Sequence, residues 1–155
     1  MAHCIGDPEK LEYMSADVFA HAKRSSVMSA IRARDTKPEM IVRRWLHGNG
    51  YRYVLHDRRL PGVPDVVLPR FHTAIQVRGC FWHKHHCPDG HMPKSREKYW
   101  VPKLNNNAKR DKRNGRRLRQ LGWRLIVVWE CEVSTGRRAT ERLPLLLKQL
   151  HAGGQ

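Results

Sequence analysis

Thr73-Ala74-Ile75-Gln76-Val77-Arg78-Gly79-Cys80-Phe81-Trp82-His83-Lys84-His85-His86-Cys87 sets the architecture of the chain. Its first five residues form a short, mostly apolar run suited to a strand. That strand runs directly into a loop dense in thiols and imidazoles, the side chains that bind borderline-soft metal ions. A sheet that delivers its strand end into a metal loop is the organising feature.

Upstream, Asp65-Val66-Val67-Leu68 begins a strand after the turn Leu60-Pro61-Gly62-Val63-Pro64, and Tyr51 to Leu55 reads as another. Before these, Thr36-Lys37-Pro38-Glu39 has the form of a capping box, with Thr36 as N-cap and Glu39 at the third helical position. Ile41, Val42, Trp45 and Leu46 follow at helical spacing until His47-Gly48-Asn49-Gly50 ends the run. Ser25 or Ser26 caps a short helix carrying Val27, Met28 and Ile31. Downstream, Asn105 to Leu121 reads as a very basic helix ended by Gly122. Trp123 to Trp129 is a nearly continuous apolar strand of the kind buried on both faces. Thr140 to Leu150 is a closing helix with Pro144 in its first turn. The expectation is a single α/β domain with a central mixed sheet flanked by helices. It spans residues 22–151 and follows an N-terminal extension over 1–21.

Thirty Lys plus Arg against fourteen Asp plus Glu leave a net charge of +16 in 155 residues. Such a field suits a polyanion. A membrane surface is also anionic, but no apolar run reaches ~18 residues. No secretory signal is expected either, because Asp7, Glu9, Glu12 and Asp17 interrupt the first twenty residues. The expected setting is the cytoplasm, beside the nucleoid of a prokaryotic cell, and the expected partner is nucleic acid.

The four cysteines stand at 4, 80, 87 and 131. Without an export signal, and with histidines interleaved, they point to a metal rather than to disulfides. Cys80 and Cys87 can converge on one ion from a tight loop, and Cys131, at the end of a strand, is a better further ligand than Cys4. Spacing alone leaves His83, His85, His86 and His91 all open. A structural zinc takes four protein ligands and no more, so most of these histidines have other work.

Pro64-Asp65 opens a strand, and Gln76-Val77-Arg78 ends the next. Nucleases of such architecture place an Asp on one strand and Glu-x-Lys on its neighbour, so that hard oxygen ligands hold magnesium against the scissile phosphate. Gln76 and Arg78 occupy the Glu and Lys places, which leaves a standard version of that site incomplete.

Gly62-Val63-Pro64-Asp65, the Gly79-to-Cys87 block, Trp100, Leu121-Gly122-Trp123-Arg124 and Val128-Trp129-Glu130-Cys131 together resemble the very-short-patch-repair endonuclease family, over roughly residues 22 to 133. The resemblance implies a fold like that of type II restriction endonucleases. It implies an enzyme that nicks one strand beside the T of a T·G mismatch, left when 5-methylcytosine deaminates, by magnesium-dependent hydrolysis. Asp65 matches the metal-binding aspartate, and Val77 a position whose backbone carbonyl joins it. His83 matches the catalytic histidine, and Glu39 and Asp111 match acidic positions that support metal-bound waters and the N-terminal helix. The zinc set becomes Cys80, His85, Cys87 and Cys131. Arg78 is the main departure, since a second histidine is usual there. Arginine cannot act as a base, but it can bind phosphate or its developing charge.

The same resemblance makes Phe81, Trp82 and Trp100 wedges inserted into DNA beside the mismatch. Met28 and Ile31 enter from the minor-groove side, and Lys103 and Asn107 contact the mismatched bases. Arg116 and its basic neighbours supply phosphate contacts. The enzyme is expected to work as a monomer on double-stranded DNA, in functional contact with other mismatch-repair proteins. Two competing readings are a restriction-type endonuclease cutting a matched sequence and a zinc-dependent DNA-binding protein without catalysis.

Overall fold

The computed structural model describes residues 34–92 and 96–152. The short helix expected at Ser25, and with it Met28 and Ile31, lies outside the described residues. From Thr36 onward the chain forms one compact unit.

Helix α1 (Lys37–Gly48) starts where the capping pattern predicts. The Thr36 hydroxyl oxygen accepts from the Glu39 backbone N–H at 3.4 Å and lies 3.1 Å from the Glu39 carboxylate. Beyond α1 come β1 (Val54–Leu55), β2 (Val66–Leu68) and β3 (Thr73–Arg78). Helix α2 (Glu97–Gln120) leads to β4 (Arg124–Trp129), the short α3 (Glu130–Val133) and α4 (Gly136–His151). The sheet order is β1-β2-β3-β4. The first three strands are antiparallel, and β4 runs parallel to β3 from Thr73↔Arg124 to Arg78↔Trp129. A parallel pair needs a long crossover. Here the crossover holds the Cys/His loop and the whole of α2, so both are delivered to the end of β3.

The faces of the sheet follow from the period of two. Val66 and Leu68, Ile75, and Ile126 and Val128 pack with Val42 and Leu46 of α1 and Leu143, Leu146 and Leu150 of α4. Val67, Ala74 and Leu125 turn the other way, against Leu118 of α2 and Leu60. Among the described residues, α1, α4 and Val133 of the short α3 therefore cover one face, and α2 covers the other. Ala74 shares its face with Gln76 and Arg78, so the polar end of β3 is carried toward α2.

Several boundaries differ from expectation. The strand predicted over Tyr51–Leu55 shrinks to Val54–Leu55. Tyr51 and Tyr53 pack against the core instead, and their hydroxyls reach His151 and the Arg43 carbonyl. Helix α2 begins at Glu97 rather than Asn105 and contains Pro102. Helix α4 begins at Gly136, capped by Thr135, so Pro144 lies well inside it and not in its first turn. In β4 only Ile126 and Val128 are fully buried, which makes the strand alternating rather than apolar on both faces. Among the described residues no helix is long and apolar enough to cross a membrane.

The turn before β2 is fixed by Gly62. Its φ is +78°, and a Cβ there would fall 2.8 Å from the Asn114 side chain of α2. Only glycine combines that backbone with that approach. The turn thereby locks Asp65 at the start of β2.

Candidate active site and metal centre

Asp65 stands one residue before β2, opposite the last residues of β3. Its Oδ2 accepts from the Val77 backbone N–H at 2.8 Å, which adds a side-chain rung where the β2–β3 ladder stops. Burial pushes the Asp65 carboxyl above the usual carboxylate range, and the nearby Glu39 charge adds to this, while the Val77 bond, His56 and Arg43 oppose it. A buried carboxylate of this kind gains from a cation.

The opposite side of β3 carries the second carboxylate. Arg78 donates to Gln76 Oε1 at 2.6 Å, lies 3.8 Å from Asp111 Oδ2, and stacks over the Trp129 ring at 6.0 Å. Its Nε is buried without a hydrogen-bond partner among the described residues. Gln76, read from sequence only as the wrong residue for a metal ligand, in fact orients the guanidinium. Burial pulls the Arg78 pKa down, and Asp111 and Asp65 pull it back up, so both carboxylates act on this one side chain.

Asp111 is also hydrogen-bonded to His83 Nδ1. Burial alone would raise the Asp111 carboxyl, but the His83 bond and the charges of His83, Arg78 and Arg110 outweigh it and hold the group below its usual range. Because Nδ1 is committed to a carboxylate, Nε2 is the nitrogen left to exchange a proton elsewhere. Asp111 sits on the inward stripe of α2 with Leu104, Gly115 and Leu118. An acidic residue on the buried stripe of an otherwise basic helix is a signal the sequence carries.

Glu39 and Arg43, one turn apart on α1, form a buried ion pair at 2.9 Å. The Arg43 guanidinium also meets His56 Nε2 at 2.8 Å, and His56 Nδ1 lies 3.9 Å from Asp65 Oδ1. His56 was not picked out by sequence reasoning. Its position just past β1, with φ +46°, is visible only in the fold.

The Cys/His loop closes on itself. His85 N–H donates to the Cys80 carbonyl, Cys87 N–H to His85 and Gly90 N–H to Cys87. A Cβ at Gly90 would fall 1.9 Å from the His85 carbonyl, so the loop needs glycine there. Cys80, His85, Cys87 and Cys131 bring one ligand atom each to within 4.8 Å of one another. The described thiols are free, and His85 Nδ1 lies 3.6 Å from Cys80 Sγ and 3.4 Å from Cys131 Sγ. Burial and the neighbouring thiols push Cys80 up to about 12. Burial pushes the Cys131 thiol up as well, and a cation held by these donors would offset that, so the donor set fits a bound metal ion. The ring of His85 stacks on Trp129 at 4.1 Å. His91 caps the Pro88 carbonyl, and His86 is exposed on the loop surface.

Beside the loop lies a half-buried aromatic cluster. Phe81, Trp82 and Trp100 meet edge to face, at 5.2, 5.2 and 5.9 Å between ring centres. Tyr99, unmarked in the sequence reading, joins them through Trp100 at 5.0 Å. Exposed Lys103 sets its ammonium over Trp82, Tyr99 and Trp100 at 5.2 to 5.6 Å. Asn107 donates to the Trp82 carbonyl, tying the loop to α2. Arg116 is exposed farther along the same helix, as are Lys109, Arg110, Lys112, Arg113, Arg117 and Arg119.

A sequence profile of the DNA mismatch endonuclease Vsr family matches residues 16–89. The type II nicking enzyme V.NmeAIP of Neisseria meningitidis serogroup A is 42% identical over 134 residues, covering 86% of this chain and 96% of the relative. The type II nicking enzyme V.XorIIP of Xanthomonas oryzae is 46% identical over 118 residues, with 76% and 87% covered. The DNA mismatch endonuclease Vsr of Escherichia coli is 42% identical over 133 residues, with 83% and 85% covered. With such identity spread over most of both chains, this protein belongs to the DNA mismatch endonuclease Vsr family and is a DNA endonuclease.

Proposed function

We propose that this chain nicks one strand of duplex DNA beside the T of a T·G mismatch, by magnesium-dependent hydrolysis, in the cytoplasm and as a monomer. The observation that carries the reading is the meeting of Asp65, Val77, Arg78, His83 and Asp111 around one strand end, next to the exposed side of an aromatic cluster.

In this reading Asp65 and the Val77 carbonyl hold the magnesium ion. The N–H and C=O of one residue in a strand project to the same side. The Val77 N–H already points at Asp65, so its carbonyl faces the same edge. When bound, magnesium polarises a phosphoryl oxygen and acidifies water. His83 takes the proton of the attacking water at Nε2, while Asp111 holds the ring and stabilises the imidazolium that forms. Arg78, anchored by Gln76, turns its guanidinium to the scissile phosphate and its developing charge. Glu39 supports the Asp65 side of the site from α1.

Cys80, His85, Cys87 and Cys131 hold a structural zinc, a closed four-ligand set with no open position for chemistry. Phe81, Trp82 and Trp100 wedge into the base stack, which a wobble pair yields more readily than a matched one. Met28 and Ile31 approach from the minor groove, Lys103 and Asn107 reach the mismatched bases, and Arg116 contacts phosphate. Functional contact with other mismatch-repair proteins belongs to the same reading. The names of the relatives favour nicking over two-strand cutting of a matched site. Asp65→Ala tests the reading, because it should bind T·G duplex about as well as the parent and leave it intact in magnesium. Near-normal nicking by Asp65→Ala would show that the metal site is misplaced.

A further inference from the structure

Asp65 is approached from α1 by a chain of polar side chains that runs from Glu39 through Arg43 to His56. Buried Glu39 holds Arg43 at 2.9 Å, and the Arg43 guanidinium meets His56 Nε2 at 2.8 Å. A guanidinium only donates. His56 Nε2 therefore accepts, and the ring proton sits on Nδ1, the nitrogen 3.9 Å from Asp65 Oδ1. The backbone repeats the link, since the His56 N–H approaches the Asp65 carbonyl at 3.4 Å where the β1–β2 ladder ends. His56 adopts a left-handed backbone (φ +46°) that costs a non-glycine residue energy and is retained where surroundings enforce it. Its side chain is only 16% exposed and that of Asp65 only 20%, so the contact is largely screened from bulk water.

We infer that His56, its tautomer set by Arg43 and Glu39, is a positioning residue for Asp65. Val77 N–H fixes one carboxylate oxygen and His56 Nδ1–H steers the other. The carboxylate then presents its remaining lone pairs in one orientation, toward the end of β3. A distance of 3.9 Å exceeds a hydrogen bond, and such contacts tighten when the site fills. The inference rests on the reading of Asp65 as a magnesium ligand. Groups that orient metal ligands through a hydrogen bond are typically worth about 10–100-fold in metal affinity or activity.

Two measurements test it. On the metal-free parent protein, nitrogen-resolved NMR of the His56 ring at mildly alkaline pH should find the proton on Nδ1; a proton on Nε2 contradicts the inference. In nicking assays over a magnesium series, His56→Ala should need roughly 10–100-fold more magnesium for half-maximal rate. Its metal-free affinity for T·G duplex should stay at the parent's value, while loss of an acceptor for buried Arg43 lowers its thermal midpoint. His56→Gln, which keeps a side-chain N–H, should recover most of the magnesium requirement. A His56→Ala protein with the parent's magnesium requirement overturns the inference, and so does one whose metal-free duplex affinity falls together with its rate. Where His56→Ala does not fold, the tautomer and the His56→Gln magnesium series decide. Asp65→Ala, run in parallel, separates the two claims. If it nicks normally, the metal-ligand reading of Asp65 fails. If it is inactive while His56→Ala behaves as the parent, only the role of His56 fails.

Discussion

His83 on the metal loop is hydrogen-bonded through Nδ1 to Asp111 on α2, a contact between residues 28 positions apart. It fixes which ring nitrogen is free. It also joins the metal loop to the basic helix, so a change at either end is felt by both. Asp111→Asn keeps the shape but removes the charge that holds the ring and stabilises its protonated form. Proton transfer by a positioned group is typically worth about 10²–10⁴-fold. The maximal nicking rate should fall within that range while duplex affinity holds. The fold should respond as well. The Asp111 carboxyl is held below its usual range, so it contributes stability that is present at neutral pH and lost as pH falls through that lowered value. In acid titrations the parent and Asp111→Asn should therefore converge. Nicking by Asp111→Asn at the parent rate would remove Asp111 from the mechanism.

Asp65 has the opposite sign. Its carboxyl lies above the usual range because burial penalises the ion. The penalty is absent while the group is protonated in both states and grows as pH rises through the raised native value. Asp65→Asn should therefore melt at a higher temperature than the metal-free parent at neutral pH. The difference should vanish well below about pH 3.9, the ordinary aspartate value, where the group is protonated in both states. A metal-free Asp65→Asn no more stable than the parent at pH 7 would contradict the burial account.

Arg78 should act on phosphate and not on proton transfer. Removing one donor aimed at developing charge costs about 10²–10³-fold. Arg78→Ala should lose rate on that order with little change in the shape of its pH profile. Arg78→His should retain substantial activity because it restores the residue usual at this position in the family. Full activity in Arg78→Ala would place the side chain outside the reaction.

Removing one thiol should test the metal centre as a folding element. The four donors come from β3's end, the loop and α3, so one ion would staple the crossover to the sheet. Structural metal sites contribute folding free energy directly. Cys131→Ala should yield unfolded or insoluble protein, and the parent should carry one zinc per chain by elemental analysis. A folded, active Cys131→Ala with zinc retained would exclude Cys131 as a ligand.

Much of this is legible in the amino-acid sequence. The four-residue cap at Thr36, the turn at Gly62 and the apolar run of β3 act locally, and each stands where the pattern put it. The Cys/His set also came together, although only the family resemblance, not spacing, had chosen His85 among four histidines. What differed was where two helices start. The helix expected from Asn105 begins at Glu97 and so contains Pro102, and the one expected from Thr140 begins at Gly136, which moves Pro144 from the first turn to the interior. An interior proline costs about 3 kcal/mol, and packing of an apolar helix face can offset it. Leu104 and Leu118 of α2, and Leu143, Leu146 and Leu150 of α4, supply that packing. His56 and Gln76 were missed for another reason. His56 meets Asp65 across the β1–β2 edge, a pairing no periodicity encodes, whereas the strand period of two does set Gln76 beside Arg78 but does not say that it orients it.

The most direct measurement compares two duplexes that differ only in one base, T·G against T·A, at one fixed salt concentration with magnesium. Strand-resolved gels read nicking, and a salt series reads binding. The parent should nick only the T-containing strand of the T·G duplex and leave the matched one intact. Trp82→Ala should erode the preference, since base–aromatic stacking is worth about 1–3 kcal/mol. Arg116→Ala should weaken both duplexes alike and reduce the salt slope by roughly one. Equal cleavage of both duplexes by the parent, or a Trp82→Ala that lowers both affinities together with thermal stability, would contradict mismatch recognition by this aromatic cluster.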